Sequence, residues 1–169
     1  TRRQLAQEDS VRAAVRLALL RPECSAILIL YDSDDDCPKA LAPQVLTWAQ
    51  AAAGKTPCAV VLALHEYEAW FLAGIEPLRG KRGILANAVP HPDPESPRDA
   101  KGQLERRMDP RRSYSETADQ AALTALFDLR AAYQSCRSFR HCVVAFGRLL
   151  ANLEVAVAEW PPSEWEAER

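Results

Sequence analysis

At 169 residues, with 48% apolar and 26% charged residues and a formal net charge of −2, the chain has the composition of one soluble globular domain with a full core. No apolar run approaches the roughly 18 to 20 residues of a membrane span, and the opening residues interleave acids and arginines where a signal peptide would be apolar, so the expected compartment is the cytoplasm. Five cysteines (Cys24, Cys37, Cys58, Cys136 and Cys142) have scattered spacings with neither a CxxC pair nor a completing histidine. That excludes a disulfide framework and a structural zinc and predicts reduced, mostly core thiols.

The first residue is not Met and the chain opens inside a helical pattern, so a further N-terminal piece is expected in the natural protein. From Asp9 or Ser10, the apolar residues Val11, Ala14, Val15, Ala18 and Leu19 recur at helical spacing, and Arg21-Pro22 stops the helix. Residues 25–31 (SAILILY) form an unbroken apolar run, the pattern of a central strand buried on both faces of a parallel sheet. Residues 38–53 predict an alanine-rich helix ending at Gly54, and residues 58–64 (CAVVLAL) a second buried strand. Strand, crossover helix and strand make one parallel unit.

Beyond it, residues 65–72 (HEYEAWFL) turn helical, and residues 78–97, rich in Gly and Pro, read as a loop excursion. Residues 98–108 predict a short basic helix, residues 117–133 a longer one, and residues 138–158 another with an apolar stripe through Phe139, Val143, Phe146, Leu149, Leu150 and Leu153. The tail from residue 159 is expected to be frayed or docked only through Trp160 and Trp165.

Chemistry concentrates at the strand ends. Asp32, Asp34, Asp35 and Asp36 follow the first strand, and Glu66 and Glu68 follow the second. In open α/β sheets the working crevice lies beyond the carboxyl ends of the strands. The DxD pair Asp32 and Asp34 suits a hard cation such as Mg²⁺, with Asp36 joining directly or through water. A single Asp here would be a solvated loop residue, and Asp36 is a natural N-cap ahead of Pro38. Four together repel one another unless a cation neutralises them, which favours the metal reading. Capping or solvation explains Glu66 or Glu68 singly, yet an acid flanked by Tyr67, Ala69, Trp70 and Phe71 lies against apolar surface and needs a partner. His65, His91 and His141 read as packed or surface residues. Nucleotide-cradling and serine-hydrolase motifs are absent from the sequence, and Cys37 has acidic neighbours that disfavour a thiolate. The second half carries many Lys and Arg residues, either a solvated face or a phosphate-binding surface beside an acidic metal site.

The strings YDSDDDCPKALAPQVL, VVLALHEYEAWFLAG, PESPRDAKGQLERRM, YSETADQAALTALFDLRAA and SFR together resemble the bacterial domain-of-unknown-function family 4276. The resemblance implies an α/β, Toprim-like (Rossmann-like) fold: a mostly parallel sheet flanked by helices, with a helical C-terminal half. It also implies kinship with overcoming-lysogenization-defect nucleases. The whole chain would be one domain, with an α/β core over 1–76, an excursion over 77–97, a helical part over 98–158 and a tail over 159–169. By the same resemblance Asp32 and Asp34 correspond to the Toprim DxD pair holding Mg²⁺ or Mn²⁺, and Glu66 and Glu68 to the EYEAW acids. Lys101, Tyr114, Asp119, Gln120, Asp128, Ser138 and Arg140 fall in later motifs for which the family supplies no role.

One departure matters. Toprim chemistry uses a first-strand glutamate, and Glu8 and Glu23 follow no apolar strand, so that strand lies outside this chain, comes from another chain, or is dispensable in a non-catalytic relative. A missing strand would also leave a sheet edge for a partner.

The leading expectation is therefore a metal-dependent nuclease of a bacterial anti-phage system, acting with a partner ATPase on nucleic acid, DNA before RNA, and compatible with a homo-oligomer. Asp32, Asp34 and Glu68 are the candidate catalytic residues, and Asp32, Asp34, Asp36 and Glu66 the candidate metal ligands. Lys101, Arg106, Arg107, Arg137 and Arg140 are the candidate nucleic-acid contacts. The alternatives are a degenerate binding or scaffolding subunit and a purely structural cation site.

Overall fold

The computed structural model describes residues 7–154, 156 and 159–166. Helix α1 (Glu8–Leu19) leads to strand β1 (Ile27–Asp32), helix α2 (Pro38–Ala53) and strand β2 (Cys58–Ala63). The strands pair in parallel with Ile27 opposite Cys58 and Asp32 opposite Ala63. Pro38 opens α2 where a missing N–H costs nothing, and Gly54, at φ 63°, closes it in a conformation that side chains disfavour.

Alternation along the strands sends their side chains to two cores. Ile27, Ile29, Tyr31 and Val60 pack with Val11 and Val15 of α1 and Val45 and Ala49 of α2. Leu30 and Ala63 turn to the opposite face, where α3 (Glu68–Ala73) and α7 (Arg137–Asn152) lie. The fold is thus α/β, a two-stranded parallel sheet with helices on both faces. Among the described residues no helix is long and apolar enough to cross a membrane.

All six residues of α3 are buried, so its apolar residues line several walls of the main core at once. Trp70 and Phe71 make edge contacts with Phe139 and Phe127, and Trp70 Nε1 donates to Ser138 Oγ at 2.8 Å. This anchors α7 over the sheet.

Several expectations need correction. Strand β1 is not buried on both faces: only Ile27 is buried and Leu28 is 36% exposed. Alternate N–H groups of a paired strand point to opposite edges, so while those of Ile27 and Ser33 donate to Pro57 and Ala63, those of Leu28, Leu30 and Asp32 turn to the other edge, where the described residues supply no strand. The basic helix shortens to α4 (Ala100–Glu105), because Asp99 caps it through Gly102 N and Met108 pairs with Ile84 instead.

The helix expected over 117–133 breaks into a π turn (Glu116–Gln120), α5 (Ala121–Thr124) and α6 (Leu129–Ser135). Asp128 N donates to Gly74 O and the Asp128 carboxylate caps α6, so the chain gains more from an anchored turn than from continuous helix. The last helix ends at Asn152, and Val155, Val157 and Ala158 lie outside the described residues. Trp160 and Trp165 do dock the tail, the former donating to Val143 O and the latter stacking on Tyr133. All five cysteines are free; Cys136 is buried and Cys37 is exposed rather than in the core.

Candidate functional site

The parallel ladder continues past the strand ends and fixes the acidic turn. Ser33 N donates to Ala63 O, Asp34 N to His65 O, and the buried Ser33 hydroxyl accepts His65 N. Asp34 (φ 46°) and His65 (φ 59°) face each other in left-handed conformations, with the His65 ring hydrogen-bonded to Asp34 O at 2.8 Å. Two non-glycine residues held side by side in this sparsely populated region form a strained turn of the kind that clusters at functional sites.

Asp32 ends β1 with its carboxylate accepting Tyr67 N at 2.7 Å. Burial above all, with the charges of Glu68, Asp34 and Glu66 adding to it and the Tyr67 bond opposing it, brings this carboxyl up to about 7. Asp32 and Asp34 both line a cavity of about 590 Å³, together with Tyr67, Glu116, Gln120 and Thr124.

Glu68 lies behind this cavity rather than on its wall. It is 3% exposed, accepts Tyr114 OH at 2.7 Å, and has Gln120 Nε2 at 3.5 Å. Burial raises its carboxyl above the ordinary range, which the Tyr114 bond opposes, and the buried phenol is raised in turn. Glu66 accepts Lys101 N and so ties the start of α4 to the end of β2. The Lys101 ammonium pairs with Glu116 at 2.6 Å, also 5.8 Å from the Tyr114 ring centroid. Asp35 pairs with Arg98 in solvent, and Asp36 donates its N–H to Ser33 O.

The structure thus gathers Asp32, Asp34, Glu66 and Glu68 around the two strand ends, and of the basic candidates only Lys101 is tied to this cavity, through its ion pair with the lining residue Glu116. Arg106 lies in solvent beside Asp99. Arg107 and Arg140 spend their guanidinium donors on main-chain carbonyls, Arg107 on Val89 and Gln103, Arg140 on Tyr133 and Gln134. Arg137 lines a separate cavity.

Two supports were not read from the sequence. Asp119, 2% exposed, accepts Ser115 N and has Arg82 and Arg112 at 3.6 and 3.7 Å, which fixes the π turn that presents Gln120. Glu95 accepts the N–H groups of Arg137 and Ser138, capping α7 from the Pro-rich excursion. Only the DQ pair carried a local signal of the first; the second depends on a contact across more than forty residues.

A divalent cation suits the donor chemistry here. Among the described residues no three acidic, histidine or cysteine side chains stand ready as a ligand set. The Asp32 and Asp34 pair nevertheless matches the one or two carboxylates with which Mg²⁺ is held when waters complete its octahedron. Burial, and after it the neighbouring carboxylates, disfavour ionisation of Asp32, a cost that a bound cation would offset.

No curated protein and no solved structure matches the chain. Residues 2–145 match the family described as a domain of unknown function, DUF4276, and the chain belongs to that family.

Proposed function

We propose that this protein is a metal-dependent, Toprim-like nuclease that hydrolyses phosphodiester bonds, taking DNA before RNA. One observation carries the reading: Asp32 and Asp34 line one cavity at the strand ends, where burial first and the neighbouring carboxylates second bring Asp32 to about 7. Asp32 and Asp34 would hold Mg²⁺ or Mn²⁺, which supplies charge stabilisation at the phosphate and an activated water when bound. The chain's own residues set the rest. Tyr67 N–H fixes the Asp32 rotamer, and the Ser33, Asp34 and His65 ladder holds the turn rigid. Glu68, held by Tyr114, keeps a negative charge behind Asp32 that favours a bound cation. Lys101 pairs with the lining residue Glu116, and a phosphate backbone would compete for it.

The cytoplasm as compartment rests on the charged, helical opening of the sequence, and a defence role beside a partner ATPase on the resemblance to overcoming-lysogenization-defect nucleases. A second reading, a degenerate binding subunit, is favoured by the protein donors that already occupy Glu66 and Glu68. Cleavage of plasmid DNA and single-stranded RNA in Mg²⁺ or Mn²⁺ separates the two. The nuclease reading expects cutting that Asp34→Ala abolishes without unfolding the domain; equal activity in that variant sinks the assignment.

A further inference from the structure

A second cavity, of about 300 Å³, opens at the same end of the sheet and shares no lining residue with the acidic one. Its floor is Leu62 and Leu64 from the end of β2, and its rim is Lys39 from the first turn of α2 with Arg137 and His141 from α7. The size lies at the lower end of the range for small-ligand sites, and an apolar floor with a few convergent polar groups is their usual construction.

The charge is one-sided. Among the described residues neither Lys39 nor Arg137 has an ion-pair partner. The nearby carboxylate, Glu95, is already engaged by the N–H groups of Arg137 and Ser138. Ser138, 6% exposed, also lines the cavity; its oxygen accepts Trp70 Nε1, and no described group takes its hydroxyl proton. A buried donor without an acceptor and two uncommitted cations around an apolar floor call for an anion with a flat apolar body.

Two fixed positive charges, with a histidine able to add a third, match a phosphate monoester, which carries about −1.5 to −2 at neutral pH, better than a carboxylate. A phosphosugar would waste the leucine floor, whereas a nucleobase covers it. We propose that this cavity binds a nucleotide through a terminal phosphate monoester, the base on Leu62 and Leu64 and the phosphate on Lys39, Arg137, His141 and Ser138. The nucleotide is either free or the end of a strand. The proposal stands apart from the metal reading, because no residue of the acidic cavity takes part.

The probe is adenosine 5′-monophosphate, titrated calorimetrically into the full chain in EDTA. Expected is saturable binding at one site per chain, with adenosine and inorganic phosphate each weaker by about tenfold or more, since each keeps only part of the contacts. Lys39→Gln and Arg137→Gln, both on exposed side chains, should each weaken binding about tenfold. Asp34→Asn should leave it unchanged even if nuclease activity is never found. Absence of saturable binding, equal binding by both glutamine variants, or loss on Asp34→Asn overturns the site.

A 5′-phosphorylated dinucleotide that binds as well as the mononucleotide, with its 5′-hydroxyl counterpart weaker, assigns a strand end; a weaker phosphorylated dinucleotide assigns the free nucleotide. His141 gives a second readout. Partial burial and the charges of Arg137, Arg140 and Lys39 hold its imidazole below the ordinary value against Glu95, so a bound dianion must raise it. An NMR titration of the ring that is unmoved by the mononucleotide contradicts the placement of the phosphate.

Discussion

Replacing Asp32 by Asn tests the electrostatics of the acidic turn without disturbing its packing, because the amide oxygen can still accept Tyr67 N–H. In the folded chain the Asp32 carboxyl is carried from 3.8 to about 7, whereas in the unfolded chain it titrates near its ordinary value. Between pH 4 and 7 the folded state therefore holds more protons than the unfolded state, and stability falls as pH rises through that window. At about 1.4 kcal/mol per tenfold the full displacement corresponds to ~4 kcal/mol, and partial solvent contact reduces the expected effect to about 2 kcal/mol. The assay is urea unfolding in EDTA at pH 5 and pH 8. More than a third of that window lies below pH 5, so Asp32→Asn should gain about 1 kcal/mol on the wild type between pH 5 and pH 8. Parallel pH dependence in the two proteins would refute the claim that folding raises the Asp32 carboxyl.

Other substitutions probe the frame around the turn. Tyr114→Phe strips the buried Glu68 of its 2.7 Å donor and should cost about 1–3 kcal/mol in chemical denaturation, more at pH 8 than at pH 5 because the ionised carboxyl then keeps only its weaker donors. Gly74→Ala would put a Cβ 2.5 Å from Asp128 O and 2.8 Å from Asp128 N, both main-chain atoms, so a loss of about 1–3 kcal/mol is expected in the same assay. Glu95→Gln weakens the cap on α7 and should lower stability by about 1 kcal/mol while leaving metal binding at Asp32 and Asp34 unaffected.

What the sequence disclosed tracks how local each cause is. Residues 38–53 were legible to the residue because Pro38 and Gly54 punctuate the helix in the chain itself. Both strands followed from unbroken apolar runs, and the strand ends followed from where the carboxylates begin. The exposure of β1 was illegible, since the same apolar run serves a strand with two neighbours or one. The break at Phe127 and Asp128 escaped a periodic reading because helical spacing continues through it, and only the meeting with Gly74 ends the helix. Within the site, Asp32 and Asp34 stood out by density of charge. That Glu68 is withdrawn behind Tyr114, and that Lys39, Arg137 and His141 share a cavity, are facts of tertiary placement that no spacing encodes.

The central claim is that the acidic turn holds a divalent cation, and Mn²⁺ titration followed by water-proton relaxation measures this directly in the wild type, Asp32→Asn and Asp34→Asn. The account predicts Mn²⁺ binding that tightens from pH 6 to pH 8, as the Asp32 proton is released, and that is lost in both variants. Absence of binding, or binding indifferent to pH and to both substitutions, would contradict it.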